Sequence, residues 1–187
     1  MSLSSARPTS SADTACRFLI TFLVLLVFVN CSDDPPSSDA NSDIDETSFR
    51  KDGSLTFFHP DGSPEETIDI EIADTDAAQS RGLMFRQELG YNRGMLFIFE
   101  NPSTGGFWMK NTPLPLDIMF VDTDSTIINI ARRTTPFSEE NIYPDRPRLY
   151  VVEVRGGFSA MHGIEAGMTI DWTRDSVPVD ETASPTE

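Results

Sequence analysis

The sequence predicts a β-rich α+β fold, with a small single domain, a barrel-like and mostly antiparallel sheet, and one main helix. Three observations support this prediction. Residues 67–73 alternate between apolar and polar side chains, which is typical of a strand with one buried face. Residues 95–99 form a continuous apolar run of strand length. Residues 118–121 and 126–131 are two further apolar runs joined by a short polar turn, which predicts a hairpin.

The first part of the domain is expected to contain two strands and the helix. Residues 55–58 form a short apolar run that ends at a turn rich in proline and glycine. In residues 67–73 we expect the isoleucines to face the core and the acids to face water. Residues 74–76 can cap a helix, and Gln79 stands three residues after Asp76 in the spacing of a capping box, so a helix is expected to begin there and to extend to about Met84.

The last part of the domain is expected to contain a long loop and two more strands. Residues 133–148 are polar and contain three prolines, which predicts a surface loop. Residues 149–154 read as a strand, and two glycines then open a short turn or helix that ends near His162. Residues 168–172 alternate again. Seven or eight strands therefore build the domain, to which we assign residues 53–174.

The N-terminal residues 1–30 have the composition of an export signal. Residues 18–29 are almost entirely apolar, but they are fewer than the roughly 20 residues that a helix needs to cross a membrane. The run ends beside Cys31, and a polar acidic segment follows, so the pattern resembles a bacterial lipoprotein signal. We expect Cys31 to be lipidated and to anchor the protein in the cell envelope. A plain secretory signal and an uncleaved anchor are the alternatives.

Two acidic segments flank the predicted domain. Residues 31–52 read as a disordered tether and residues 175–187 as a disordered tail, because neither has enough apolar side chains to form a core. The formal net charge of the chain is −16, which argues against nucleic acid as a partner. Cys16 would leave with the signal, so the mature domain has no cysteine for a disulfide or a sulfur metal site. We expect no cofactor and no metal.

Three motifs occur in an order that resembles the domain of unknown function 192 family. They lie at residues 81–86 (RGLMFR), 94–97 (GMLF) and 107–117 (FWMKNTPLPLD). The resemblance covers about residues 67–172. It implies a single β-rich domain, often exported, with no established activity. The chain departs from the family pattern in its helix, where alanine fills positions 77 and 78 and the family often has an acid.

The cations of these motifs and a proline-rich corner are the candidate site. Guanidinium groups bind carboxylates and phosphates bidentately, and Lys110 stands in an apolar run with Asp117 seven residues later. The candidate ligand-binding residues are Arg81, Arg86, Trp108, Lys110, Asn111 and Asp117. The alternative for each is structural, with the arginines in surface ion pairs to neighbours such as Glu88, Lys110 paired with Asp117, and Trp108 in the core.

These residues support three functions of different classes. We favour a lipid-anchored envelope protein that binds a small anionic or polar ligand, or a partner, at this corner. The second hypothesis is an envelope enzyme that uses Lys110 and Asp117 in acid–base chemistry, since burial lowers the pKa of a lysine. The third is a purely structural or interaction module.

Overall fold

A computed structural model describes residues 48–176 of the chain. The predicted signal at residues 1–30, the lipidation site Cys31, and most of the tether and the tail lie outside the described residues. Within the described part, no helix is long and apolar enough to cross a membrane.

The described residues form seven strands and two short helices, which confirms the predicted β-rich α+β domain. In chain order these are β1 (Gly53–Phe58), β2 (Pro64–Ala73), α1 (Asp76–Arg81), β3 (Arg93–Ser103), β4 (Leu116–Val121), β5 (Ile127–Ala131), β6 (Arg148–Arg155), α2 (Phe158–Met161) and β7 (Thr169–Arg174). The strands make one mixed sheet in the order β5-β4-β6-β3-β2-β1-β7. Strands β2 and β3 are parallel, and all the other neighbours are antiparallel.

The sheet curls but does not close, so the predicted barrel is only a loose description. The two edge strands, β5 and β7, meet at one end, where the N–H of Ile127 donates to the carbonyl of Met168 at 2.8 Å. The N–H of Ile170 likewise donates to the carbonyl of Ser125 at 3.0 Å. These bonds join the starts of the two edges, and no ladder continues along them in the described chain.

Both faces of the sheet carry a core. The first core comprises Leu55, Phe57, Ile68, Ile70, Ile72, Leu96, Met119, Val121, Ile127, Val152, Val154, Phe158, Ile164, Met168 and Ile170. The second core comprises Ala73, Leu83, Leu89, Met95, Phe97, Met109, Leu116, Ile118, Phe120, Ile128 and Val151. The strict alternation along β4, β6 and β3 divides their side chains between the two cores.

One expectation about β2, that its acidic side chains face water, is wrong for Glu71. Its isoleucines face the first core as predicted, but Glu71 is buried instead of facing water. The Nη2 atom of Arg86 lies 2.6 Å from the Oε2 atom of Glu71, and both side chains are almost fully buried. The segment after α1 therefore covers the face that the alternation assigned to solvent.

Helix α1 is capped by Thr75, which lies in the segment that was expected to cap it. The hydroxyl of Thr75 accepts a hydrogen bond from the backbone N–H of Ala78 at 3.3 Å. Asp76 and Gln79 do not form the expected capping box. The side-chain amide of Gln79 instead donates to the carbonyl of Ile98 at 2.7 Å, which fastens the helix to β3.

The same helix ends at Arg81, three residues before the predicted end at Met84. Gly82 follows with a φ of +50°, a backbone conformation that is strained for residues with a side chain. A Cβ atom on Gly82 would also lie 3.2 Å from the ring of Phe97. The glycine thus lets the chain turn tightly onto the second core.

The carboxylate of Asp117 fixes the corner at the start of β4. Its side chain is fully buried and accepts four hydrogen bonds. The donors are the backbone N–H groups of Arg133 (2.7 Å), Gly157 (3.0 Å) and Ser159 (2.9 Å), and the hydroxyl of Ser159 (2.6 Å). Burial alone would raise the pKa of this carboxyl, but the hydrogen bonds outweigh it and hold the pKa below its ordinary value.

Lys110 does not pair with Asp117, which corrects the expected ion pair across the proline corner. The ammonium of Lys110 lies over the ring of Trp108, 5.0 Å from its centroid. Asp117 is satisfied by the backbone and by Ser159. The two residues therefore lack the geometry for the acid–base pair that the sequence suggested.

Replacing these two residues should separate their roles. Asp117→Ala leaves several buried donors without an acceptor, and we expect it to lower the free energy of unfolding by about 3 kcal/mol or more. Lys110→Met keeps the aliphatic stem and should change it by less than about 0.5 kcal/mol. Urea unfolding followed by circular dichroism measures both. A smaller cost of Asp117→Ala in the Lys110→Met background would show that the two side chains interact after all.

Candidate functional site

A cavity of about 650 Å³ lies on the second-core side of the sheet, between α1, β3, β6 and the segment around Phe107. Aromatic side chains form one part of its wall, with Trp108 at the exposed end. Four of its lining residues are ionisable. They are Asp76 and Arg81 from α1, and Arg148 and Glu153 from β6.

Arg148 is a buried cation without a polar partner. Its side chain is 4% exposed, and its Nε and Nη1 atoms are buried and make no hydrogen bond in the described part of the chain. Burial lowers its pKa to about 10, so the guanidinium stays charged at neutral pH. The guanidinium carbon lies 3.6 Å from the centroid of the Phe99 ring, which is a close cation–π contact. The ring of Phe99 stabilises the positive charge, but the Nε and Nη1 donors of Arg148 still have no hydrogen-bond acceptor.

Arg148 lies where the pairing of β3 with β6 is irregular. Tyr150, Val152 and Val154 lie on the first-core side of β6, and strict alternation would place Arg148 beside them. The pairing of β3 with β6 shifts between Ile98 and Ser103, where Arg148 begins the strand. At this irregular end of the strand, the side chain of Arg148 packs on the rings of Phe99 and Phe107 on the second-core side instead.

Glu153 is a buried acid on the same cavity. It is 5% exposed and is flanked in the sheet by Met95 of β3 and Ile118 of β4, which are both apolar. Burial raises its pKa to about 8, so the carboxyl is protonated at neutral pH. A Cβ atom on Gly82 would lie 3.9 Å from its Oε2 atom, so the bare glycine leaves room beside the carboxyl. Such a group can donate a hydrogen bond or exchange a proton near neutral pH.

Two of the predicted site residues line the cavity. Arg81 contributes from the end of α1, and Trp108 contributes from the segment that faces it. Trp108 is 44% exposed, so it is not the core residue of the structural alternative. The cation–π contact with Lys110 holds the outer face of this ring.

The other four predicted residues lie outside the cavity lining. Arg86 is buried in its ion pair with Glu71, and not in a surface pair with Glu88. Asn111 is exposed with a φ of +55°, and its backbone carbonyl accepts a hydrogen bond from the N–H of Phe85. Lys110 and Asp117 have the separate roles described above. The proline corner is therefore mainly a support for the region, and of its residues 110–117 only Thr112 lines the cavity.

Sequence reasoning did not select Arg148 and Glu153. Glu153 had a visible signal, because it is the one acid inside the apolar run at residues 149–154. Arg148 had no such signal, since it sits at the end of a polar loop that contains other arginines. No group of three or more His, Cys, Asp or Glu side chains within residues 48–176 is arranged to hold a metal ion. The chemistry available at this cavity is therefore that of guanidinium, carboxyl and aromatic groups.

The sequence of the domain matches the model of a protein family. The model of the domain of unknown function 192 (DUF192) family, described as an uncharacterized ACR, matches residues 57–172. No curated protein is significantly similar to the chain.

Solved structures also resemble the chain. One is a protein of unknown function from Novosphingobium aromaticivorans DSM 12444, which is 39% identical with a TM-score of 0.60, over 64% of this chain and 84% of that chain. Another, from Sinorhizobium meliloti 1021, is described as a putative transcription regulator. It is 29% identical with a TM-score of 0.62, over 67% of this chain and 98% of that chain.

The protonated state of Glu153 has a measurable effect on stability. Its pKa is near 4.5 in the unfolded chain and about 8 in the folded one, so folding takes up a proton between these pH values. The wild-type free energy of unfolding should therefore fall as the pH rises from about 5 to 8, by at most about 1.4 kcal/mol per pH unit from this group. Glu153→Gln should lack this loss and become progressively more stable than the wild type, with a constant difference above pH 8.

Urea unfolding at unit steps from pH 5 to pH 9 measures this difference. Glu88→Gln, at an exposed position, is the matched control and should follow the wild-type profile. If the wild type and Glu153→Gln gave parallel profiles over this range, the carboxyl of Glu153 would be ionised in the folded protein.

Proposed function

The chain belongs to the domain of unknown function 192 family, and we propose that its domain binds a small ligand through an anionic group at Arg148. The observation that carries this proposal is the buried guanidinium with two unused donors on the wall of a cavity. A buried charge without a partner is costly, and a protein retains one chiefly where a ligand supplies the partner.

The charge of the cavity favours an anion. Two guanidinium groups, those of Arg81 and Arg148, line the cavity together with the exposed carboxyl of Asp76, while the high pKa of Glu153 keeps that carboxyl neutral. A carboxylate or a phosphate offers two oxygens in the geometry that a guanidinium binds bidentately. Its arrival would satisfy the Nε and Nη1 donors of Arg148 and lower the cost of burying them.

The walls of the cavity favour an apolar or aromatic ligand body. Phe107 packs edge to face on Phe97 and on Phe99, with ring centroids 5.2 and 6.2 Å apart, and Trp108 also lines the cavity. The volume of about 650 Å³ falls within the range of about 300–1,000 Å³ that is usual for small-molecule sites. An aryl or alkyl carboxylate fits both the walls and the charge.

The alternatives receive less support. A purely structural module has no need of an unpaired guanidinium in its interior. The description of the Sinorhizobium meliloti protein as a regulator does not extend to nucleic acid binding here, because the net charge of −16 opposes contact with phosphates. An enzyme stays a second candidate because Glu153 has a pKa suited to proton transfer, and this residue replaces Lys110 and Asp117 in that hypothesis.

We also propose that the protein is exported and anchored in the bacterial cell envelope by a lipid on Cys31. The support is the short apolar run that ends beside this cysteine and the acidic segment that follows it. In this arrangement the acidic tether would hold the binding domain away from the membrane surface.

Binding can be tested with an aryl carboxylate and its neutral analogue. We expect 3-phenylpropionate to bind the wild type weakly, at least tenfold more tightly than 3-phenylpropionamide, and to raise its melting temperature. Arg148→Met should abolish this preference because it removes the charge and keeps an apolar stem. Isothermal titration calorimetry and the fluorescence of Trp108 measure the two affinities.

Arg146→Met is the matched control for this experiment, since Arg146 is an exposed arginine paired with Asp122 and does not line the cavity. That variant should bind 3-phenylpropionate like the wild type. Equal affinity of the wild type for the acid and the amide, or undiminished binding by Arg148→Met, would overturn the proposal.

Anchoring makes a separate prediction. Labelled palmitate should be incorporated when the full chain is expressed in a bacterium that processes lipoproteins, and Cys31→Ser should abolish the label. Cys16→Ser is the control, because that cysteine precedes the apolar run and should not affect labelling. Label that persists in Cys31→Ser would exclude a lipid on this residue.

A further inference from the structure

Binding of an anion at Arg148 leaves the second buried group of the cavity, Glu153, without a role. We infer that the cavity recognises an elongated ligand with an anionic group at Arg148 and an uncharged oxygen acceptor at its far end, which receives a hydrogen bond from the carboxyl of Glu153. This inference rests on the proposed function and specifies the class of ligand.

The backbone places the two residues well apart along β6. Arg148 and Glu153 are five residues apart on β6, and at a rise of about 3.3 Å per residue their Cα atoms are separated by roughly 16 Å. They form no ion pair with each other, although both line the cavity. A ligand that satisfies both must therefore be long enough to extend along the strand.

The surface between the two groups is apolar. Phe97 and Phe99 are alternate residues of β3 on the second-core side, so they lie in a row along the cavity. The ring of Phe99 contacts the guanidinium of Arg148, and the ring of Phe97 lies beside Gly82, next to Glu153. Phe107 packs edge to face on both rings. The middle of the ligand must then be apolar or aromatic.

The charges around Glu153 favour an acceptor over an ammonium group. Helix α1 brings Arg81 and Asp76 to the cavity, with Asp76 exposed and Arg81 half-buried. The neighbours on β3 and β4, Met95 and Ile118, carry no charge, and Arg148 is the charged group at the opposite end on β6. A carbonyl or ether oxygen here would accept a hydrogen bond from the carboxyl, and an ammonium group could not.

The protonation state of Glu153 agrees with this role. Its pKa of about 8 keeps the proton on the carboxyl at neutral pH, where it is a donor. Above that pH the carboxylate has no hydrogen to donate, so recognition of the far end should depend on pH. A glutamine at this position donates at every pH, which makes Glu153→Gln the informative variant.

Two biphenyl carboxylates of matched shape test the inference. The probes are 4′-acetylbiphenyl-4-carboxylate, which has an acceptor at the far end, and 4′-isopropylbiphenyl-4-carboxylate, which has none. At pH 7 we expect the wild type to bind the acetyl probe about tenfold more tightly, and at pH 9.5 the two affinities should converge. Glu153→Gln should keep the tenfold preference at both pH values, and Glu153→Leu should lose it at both. Calorimetry gives the affinities, and circular dichroism confirms that each variant is folded.

The outcomes separate this inference from the proposed function. If the wild type binds both probes equally and Arg148→Met weakens both, the far-end acceptor is wrong while the anion site stands. If the preference persists in folded Glu153→Leu, Glu153 is not the donor and the inference is overturned. If neither probe binds the wild type, or both bind undiminished to Arg148→Met, the anion site fails and the inference fails with it.

Discussion

The four hydrogen bonds to Asp117 join three parts of the domain that are distant in the chain. They connect the start of β4 to the second residue after β5 and to the first turn of α2. Strand β4 is buried on both faces and pairs with β5 and β6, so its position determines that of the strand that carries Arg148 and Glu153. Burial would normally favour the neutral form of such a carboxyl, and the donors around it reverse that preference. The cavity therefore depends on a corner that does not contact it.

The domain treats its buried ions in two different ways. Glu71 and Arg86 neutralise each other, and Asp117 is fully satisfied by hydrogen bonds. Arg148 and Glu153 share a cavity but form no pair, and the pKa of each is shifted toward its neutral form by burial. The partners of Glu71, Arg86 and Asp117 offset the free-energy cost of burying their charges. For Arg148 and Glu153 that cost is not offset by a polar partner. The other buried ionisable groups are paired, so the lack of a pair at Arg148 and Glu153 is informative. Buried groups without partners concentrate at functional sites.

Much of the fold could be predicted from the sequence, because hydrophobic periodicity reports directly on burial. The alternation of β2 and the apolar runs of β3 and β4 located those strands correctly. The same alternation misplaced Glu71, since periodicity cannot show that a later segment covers the polar face. The site was harder to predict because Arg148 departs from the alternation of β6 where its pairing with β3 is irregular, and such an irregularity leaves no pattern in the residues themselves.

The pairing of the first and last strands limits when this domain can form. Strand β1 lies between β2 and β7, with Gly53 opposite Arg174, and the N–H of Asp175 donates to the carbonyl of Asp52. One side of β1 therefore has no partner until nearly the whole domain has been synthesised. Contacts between residues so far apart in the chain form slowly, because a long loop must close first. During translation the N-terminal segment therefore leaves the ribosome before β7 exists to pair with β1. Other proteins of the cell can reach that segment before the sheet is complete.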